Sequence, residues 1–228
     1  MPRIQLMQRW FSLSDPFMEE AQLAVTLCRE VAVLDLKSST VMDATLIAAL
    51  SSAKNSSGQR APEIHKTKKG NQWYFGMKAN IGTDAESGLV HTVLGTAANI
   101  HDVTQVHALV HVQESDVYAD SGYQGVNKCP VTRGLQCDWH VATRPGKRPA
   151  LDKSMPMGAI LAELEKTKAS IRAIGEHPFR VAKRQFGQVK VRYRGQVKNT
   201  AQLHTQFALS NLWTVRRKLL QMKGPCVH

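Results

Sequence analysis

The stretch TVMDATLIAAL, residues 40–50, constrains the fold more than any other part of the chain. Its β-branched and apolar residues suit a strand buried in a sheet, yet it carries one carboxylate, Asp43. A strand of this kind needs an apolar layer packed on it, and a lone acid inside it needs a reason. A second run, SDVYADSGYQG, reads as a strand ending at Asp120 with a Ser/Gly-rich turn directly beyond.

Around these two strands the other elements fall in a definite order. QWYFGMKANIG and LVHTVLGTAA flank the polar turn TDAESG and predict a β-hairpin. Trp73, Tyr74 and Phe75 alternate faces there, so at least one should be core and another exposed. Asn99 is placed to cap a helix over IHDVTQVHALVHV, and Asp102 in that block reads either as a cap or as a helper beside a metal. CDWHVATR is a further short strand with Trp139 and His140 expected in the core. MGAILAELEKTKASIRAIGEH should be the longest helix, with Ile160, Leu161, Leu164, Thr167, Ala169 and Ile171 on one face and Glu176 near its end. Pro178 has no N–H for the carbonyl of Ile174, so a kink or restart is expected there. NTAQLHTQFALSNLWTVRRKLLQM predicts a final helix, residues 16–33 predict an early one capped by Asp15, and SSAKNSSGQRAPEIHKTKKGN reads as a long exposed loop. Strand, hairpin, helix, strand and helices in this order match a mixed-sheet α/β layer fold better than an all-helical plan.

Charge adds the first functional constraint. The chain carries 30 Lys and Arg against 18 Asp and Glu, a formal net charge of +12. No acid follows Glu176, whereas Arg180, Lys183, Arg184, Lys190, Arg192, Arg194, Lys198, Arg216, Arg217, Lys218 and Lys223 do. Phe186, Val189, Val191, Tyr193 and Phe207 are interleaved with these charges, as on a folded surface that binds a polyanion. A solvated basic tail is the plainer alternative. With 43% hydrophobic and 21% charged residues the composition excludes a disordered or fibrous chain. Cys28, Cys129, Cys137 and Cys226 lack zinc-ligand spacing and fit a reduced, cytoplasmic protein, and no apolar run is long enough for a membrane span.

Taken singly, Asp43 could cap a strand end, Asp120 could belong to a turn, and Glu176 could pair with Arg172 or Arg180 on a helix surface. Together they suggest different chemistry. Phosphodiester cleavage by two metals needs a few carboxylates converging on one side, around ions about 3.5–4 Å apart. Without metal such a cluster repels itself, which argues against a purely structural role for all three.

The blocks TVMDATLIAALSSAKN, HKTKKGNQWYFGMKANIG, GLVHTVLGTAANIHDVTQ, YADSGYQG, EHPFRVAKRQFGQVKVRYRG and NTAQLHTQFALSNLW, in this order, resemble the insertion-sequence-five group of bacterial DDE transposases. The resemblance implies a ribonuclease-H-like mixed sheet with flanking helices over residues 38–228, preceded by a short helical remnant over 1–37. It implies DNA cleavage at element ends followed by strand transfer, with Asp43, Asp120 and Glu176 as ligands of two Mg ions that Mn can replace. It further implies double-stranded DNA as partner, bound by Arg172, Lys183, Arg184, Lys190, Arg192 and Arg194, and a homodimer as the active form. Arg172, Glu176 and Lys183 occupy three places of the family's Tyr-Arg-Glu-Lys signature, and Ala169 stands in the Tyr place. Lys78 reads as a phosphate contact, and Asn80 stands where relatives usually have His. Relatives also place a longer helical end-binding segment before the block containing Asp43. This chain therefore resembles a copy with an internal deletion, and the alternative function is an idle DNA-binding remnant that interferes with an intact transposase.

Overall fold

The computed structural model describes residues 38–49, 63–111, 114–144, 146 and 154–222. The helix expected at 16–33, and the division at residue 37 drawn with it, fall outside these residues. The fold is organised by one central strand. β1 (Ser39–Ala48) pairs antiparallel on one edge with β3 (Gln72–Asp84) and parallel on the other with β5 (Asp116–Ala119), which pairs parallel with β6 (Asp138–Val141). The outer edge of β3 is shared: β2 (His65–Lys69) pairs with its first residues and β4 (Val90–Ala97) with its later ones. Four strands joined antiparallel, β1 to β4, with β5 and β6 added in parallel beyond β1, make the mixed sheet with flanking helices that the element order implied.

Side-chain alternation along β1 divides the core into two layers. Ile47 faces one side with Met77, Ala79, Ile81, Val90 and Val93, against Phe179 and Ala182 of helix α2 (Pro156–Arg184) and Leu203 and Phe207 of helix α3 (Gln196–Met222). Met42 faces the other side with Val117, Ala119, Tyr123 and Val126, covered by Val103, Val106, Leu109 and Val110. Each face of the sheet thus carries a buried cluster, and β1 supplies an apolar residue to both, Ile47 to one and Met42 to the other.

Several local expectations give way to tertiary packing. His65–Lys69, placed in a loop by its polarity, is edge strand β2; its Lys66, Lys68 and Lys69 are exposed, the composition an unpaired edge tolerates. The helix expected over 100–112 shrinks to a 3-10 turn, Asp102–Gln105, and one α-turn, α1 (Val106–Leu109), with His101 rather than Asn99 as the cap. Of the three aromatics at the start of β3, Trp73 is exposed and Tyr74 and Phe75 are half-buried, so none is core. Trp139 packs partly against the second layer, whereas His140 is half-exposed, stacks on Tyr118 and meets Asp116 at 2.7 Å.

Helix α2 departs from expectation twice. It runs through Pro178 without ending, because Pro178, Phe179, Val181 and Ala182 are all buried, and that packing offsets the roughly 3 kcal/mol a mid-helix proline costs. Its earlier apolar face stays exposed at Ile160, Leu161 and Leu164. A 29-residue helix is roughly 40 Å long, whereas the ten residues of β1 span only about 33 Å, so α2 outruns the strand it packs on. Its early part is tethered through Glu165, which accepts from the Thr143 backbone N–H at 2.9 Å and pairs with Lys168 at 3.2 Å.

Gly175 sets how closely α2 approaches β1. A Cβ there would lie 2.8 Å from Cγ1 of Val41 and 3.6 Å from Cβ of Asp43. Val41 is buried and β-branched, so it cannot swing aside cheaply. Gly175→Ala is expected to lower the melting temperature, since overpacking costs about 1–3 kcal/mol against about 1 kcal/mol of helix propensity gained. Val41→Ala should cost less in that background than in wild type. Additive melting shifts in the two single variants and the double variant would mean that helix and strand do not press on each other here.

Candidate functional site

Asp43 lies on β1 and Asp120 immediately follows β5. Met42 and Ala119 are register partners, so Asp43 and Asp120 are the next residues on two adjacent parallel strands. Alternation turns both away from the Met42 layer and toward α2. Glu176 arrives from the helix, directly after the close contact at Gly175. Repulsion from both Asp120 and Glu176 reaches Asp43.

The electrostatics of Asp43 summarise the site. Burial is the largest influence, and with the two neighbouring acids it raises the carboxyl from the ordinary 3.8 to about 6. The Ala44 backbone N–H, which donates to Oδ1 at 2.8 Å, and the Arg172 charge work in the opposite direction. Asp120 caps the turn Ser121–Tyr123 by accepting from the Gly122 N–H at 2.8 Å. Arg172 holds Glu176 at 2.9 Å across one helical turn. The plain local roles of Asp120 and Glu176, a turn cap and a helix ion pair, are therefore both present, and the charges of both still reach Asp43.

Lys183 stays on this face because α2 is continuous. Its Nζ donates to the Thr45 hydroxyl at 2.8 Å, two residues along β1 from Asp43. Partial burial and the Lys69 charge lower its pKa, while Asp43 opposes them. Beyond α2 the chain runs beside the end of β1, where the Val191 N–H donates to the Ala48 carbonyl at 2.9 Å and Lys190 bridges to the same residue. Arg184, Lys190, Arg192 and Arg194 are exposed. Lys78 and Asp102 belong elsewhere: they form a 3.0 Å ion pair, and Lys78 also donates to the Ile100 carbonyl, so neither is a free phosphate contact or a helix cap. Asn80 is buried against Thr96 at 3.0 Å.

Tyr123 was not singled out in the sequence, since an aromatic in a Ser/Gly-rich turn reads as packing. Its hydroxyl is buried without a hydrogen-bond partner among the described residues. Burial, and then Asp102, Asp43 and Asp120, hold its pKa well above the ordinary value.

Three carboxylates form a hard, all-oxygen donor set suited to Mg or Mn. The raised pKa of Asp43 records burial first and repulsion from Asp120 and Glu176 behind it, both of which a cation would offset, so the residues present fit a divalent metal. The chain matches the family described as Transposase DDE domain over residues 35–212 and belongs to that family. Among solved structures it is similar to the piggyBac transposase, in a cryo-EM structure of its synaptic complex with hairpin DNA, with 11% identity and a TM-score of 0.49. That alignment covers 94% of this chain and 56% of the piggyBac chain, so this chain spans little more than half the length of that protein. Among the described residues no helix is long and apolar enough to cross a membrane.

A carboxyl raised in the folded state stabilises the fold fully below its unfolded pKa of 3.8, and that contribution is lost as pH rises through about 6. Asp43→Asn is therefore expected to stabilise metal-free protein at pH 7–8 by on the order of 2 kcal/mol, read as a higher melting temperature. The advantage should vanish near pH 4. Thermal melts in a chelating buffer across this range check it, and an asparagine variant no more stable at pH 8 than wild type would contradict the assigned electrostatics.

Proposed function

We propose that this chain is the catalytic part of a DDE transposase of the insertion-sequence-five group, which cuts DNA at element ends and joins the freed 3′-hydroxyl to target DNA. The observation that carries the reading is the placing of Asp43 and Asp120 level on two paired parallel strands, with the Glu176 charge of α2 reaching Asp43, in a chain whose basic segment runs beside the end of β1. Residues 38–228 form the catalytic unit in this reading, and 1–37 are what is left of an end-binding segment. The protein works in the cytoplasm, as a homodimer when active.

Asp43, Asp120 and Glu176 would hold two Mg ions. When bound, these activate the attacking oxygen and stabilise the leaving one. A bound cation would compensate the ionised Asp43 carboxylate, which burial and its acidic neighbours disfavour, so binding should strengthen as pH rises through about 6. Arg172 keeps the Glu176 side chain in place through their ion pair. Lys183, beside Thr45, and the exposed Arg184, Lys190, Arg192 and Arg194 bind the DNA backbone, which gives affinity without sequence information.

The chemical test is nicking of element-end and scrambled duplexes with Mg or Mn. Asp120→Asn should remove cleavage while leaving DNA affinity unchanged or slightly higher, because the amide is a poor ligand and one negative charge facing phosphate is gone. Undiminished cleavage in Asp120→Asn would place the chemistry elsewhere. Binding with no metal-supported cleavage is the result expected of an inert DNA-binding remnant.

The binding test is separate. Affinity should fall steeply as salt rises. Replacing Lys190, Arg192 and Arg194 together by Ala should reduce the slope of log affinity against log salt by about 2–3, roughly one for each phosphate no longer neutralised. A slope unchanged by the triple substitution would remove this segment from the DNA interface.

A further inference from the structure

On the sheet face away from α2, four polar side chains from separate parts of the chain converge. Thr40 comes from β1, His91 from β4, and His111 and Glu114 from the connection between α1 and β5. The Thr40 hydroxyl donates to Oε1 of Glu114 at 2.6 Å and lies 2.9 Å from Nε2 of His91. Nδ1 of His91 lies 2.7 Å from Nε2 of His111. One ligand atom from each of His91, His111 and Glu114 falls within 4.8 Å of the other two.

The backbone is shaped for this arrangement. Thr83 pairs with Val90 but Gly82 pairs with Thr92, so His91 is the extra residue of a β-bulge. Bulges re-aim side chains, and this one turns His91 toward Thr40 and His111 while Val90 and Val93 keep their places in the α2 layer. Opposite it, Gly82 leaves room for the imidazole: a Cβ there would lie 2.6 Å from Cε1 of His91.

The hydrogen bonds assign the lone pairs. A threonine hydroxyl has one proton, and Thr40 gives it to Glu114, so it must accept from Nε2–H of His91. Neutral His91 therefore carries its lone pair on Nδ1, the nitrogen that faces Nε2 of His111 at 2.7 Å and the Thr92 hydroxyl at 2.9 Å. Glu114 is only 6% exposed, and its second oxygen, Oε2, is buried with no hydrogen-bond partner among the described residues. An unpaired buried carboxylate oxygen is expensive, and a cation would satisfy it.

We propose that His91, His111 and Glu114 form a second cation site, separate from the Asp43 cluster, for a borderline divalent transition metal of the zinc class. Two imidazoles and one carboxylate are a zinc donor set that leaves a fourth position for water or another ligand, and His111, which is exposed, gives the ion a route in. Thr40 is the outer partner that orients two of the three ligands at once. The site ties β4 to the segment leading into β5, so its occupation should stabilise the fold.

The test uses the full chain carrying Asp43→Asn and Asp120→Asn, so that the carboxylate cluster cannot contribute. After chelator treatment, equilibrium dialysis with Co²⁺ or Zn²⁺ should give one equivalent per chain, a visible Co²⁺ absorption band, and a raised melting temperature. Added Mg²⁺ should not displace the ion. His111→Ala should weaken binding by at least about 100-fold, since even the loss of an outer-shell partner costs about 10–100-fold. His107→Ala, which alters an exposed histidine outside the cluster, should bind as before. Imidazole NMR of the parent chain supplies a measurement that does not depend on the variant folding: Zn²⁺ should shift two histidine side chains selectively. Undiminished binding in His111→Ala, no stoichiometric binding, or uniform broadening of all histidines would each overturn the proposal.

Discussion

The structure depends on the requirement that β1 serve two faces and two edges at once. Its odd-numbered residues from Val41 to Ile47 meet the α2 layer, while Thr40 and Met42 meet the opposite layer. A slip of one residue against β3 or β5 would exchange the two sets and drive Asp43 into the apolar cluster around Met42. The register is held by the antiparallel ladder to β3 along almost the whole strand and by the shorter parallel ladder to β5. The second ladder also brings Asp120 level with Asp43.

Packing and electrostatics are set against each other at this point. The closeness of α2 at Gly175 withdraws Asp43 from water and brings Glu176 toward it, and both effects disfavour the charged carboxylate. Arg172 offsets only part of this from the same helix, and Lys183 stays near Asp43 only because α2 continues through Pro178. The proposed metal role explains why such an arrangement would be kept, since a site that repels itself when empty is ready for a cation when one arrives. The opposite face has a different balance: Lys78 neutralises Asp102 directly, and the cluster at His91 leaves one carboxylate oxygen unsatisfied.

What could be read from the sequence was local and periodic. The strands around Asp43 and before Asp120, the hairpin from Gln72 to Ala97, the short strand at Trp139 and the two long helices announce themselves by alternation or by three- and four-residue spacing. Elements stabilised by distant partners did not. HKTKK has no apolar periodicity and becomes a strand only because β3 offers it an edge, and the helix expected after Asn99 is cut to one turn as the chain is drawn across the Met42 layer. Ile160, Leu161 and Leu164 have helical spacing, but spacing cannot tell how far a sheet extends beneath a helix.

By itself the sequence determined the mixed α/β plan, the order of its elements, the concentration of positive charge after Glu176 and the three acids worth watching. Only the tertiary structure decided that those acids influence one another, that Lys183 lies beside the same strand, and that His91, His111 and Glu114 meet on the other face. The reason is physical. Periodicity follows from the dihedral angles of neighbouring residues, whereas convergence depends on strand register, a bulge at His91 and a close approach at Gly175, which are set by contacts between residues far apart in the chain.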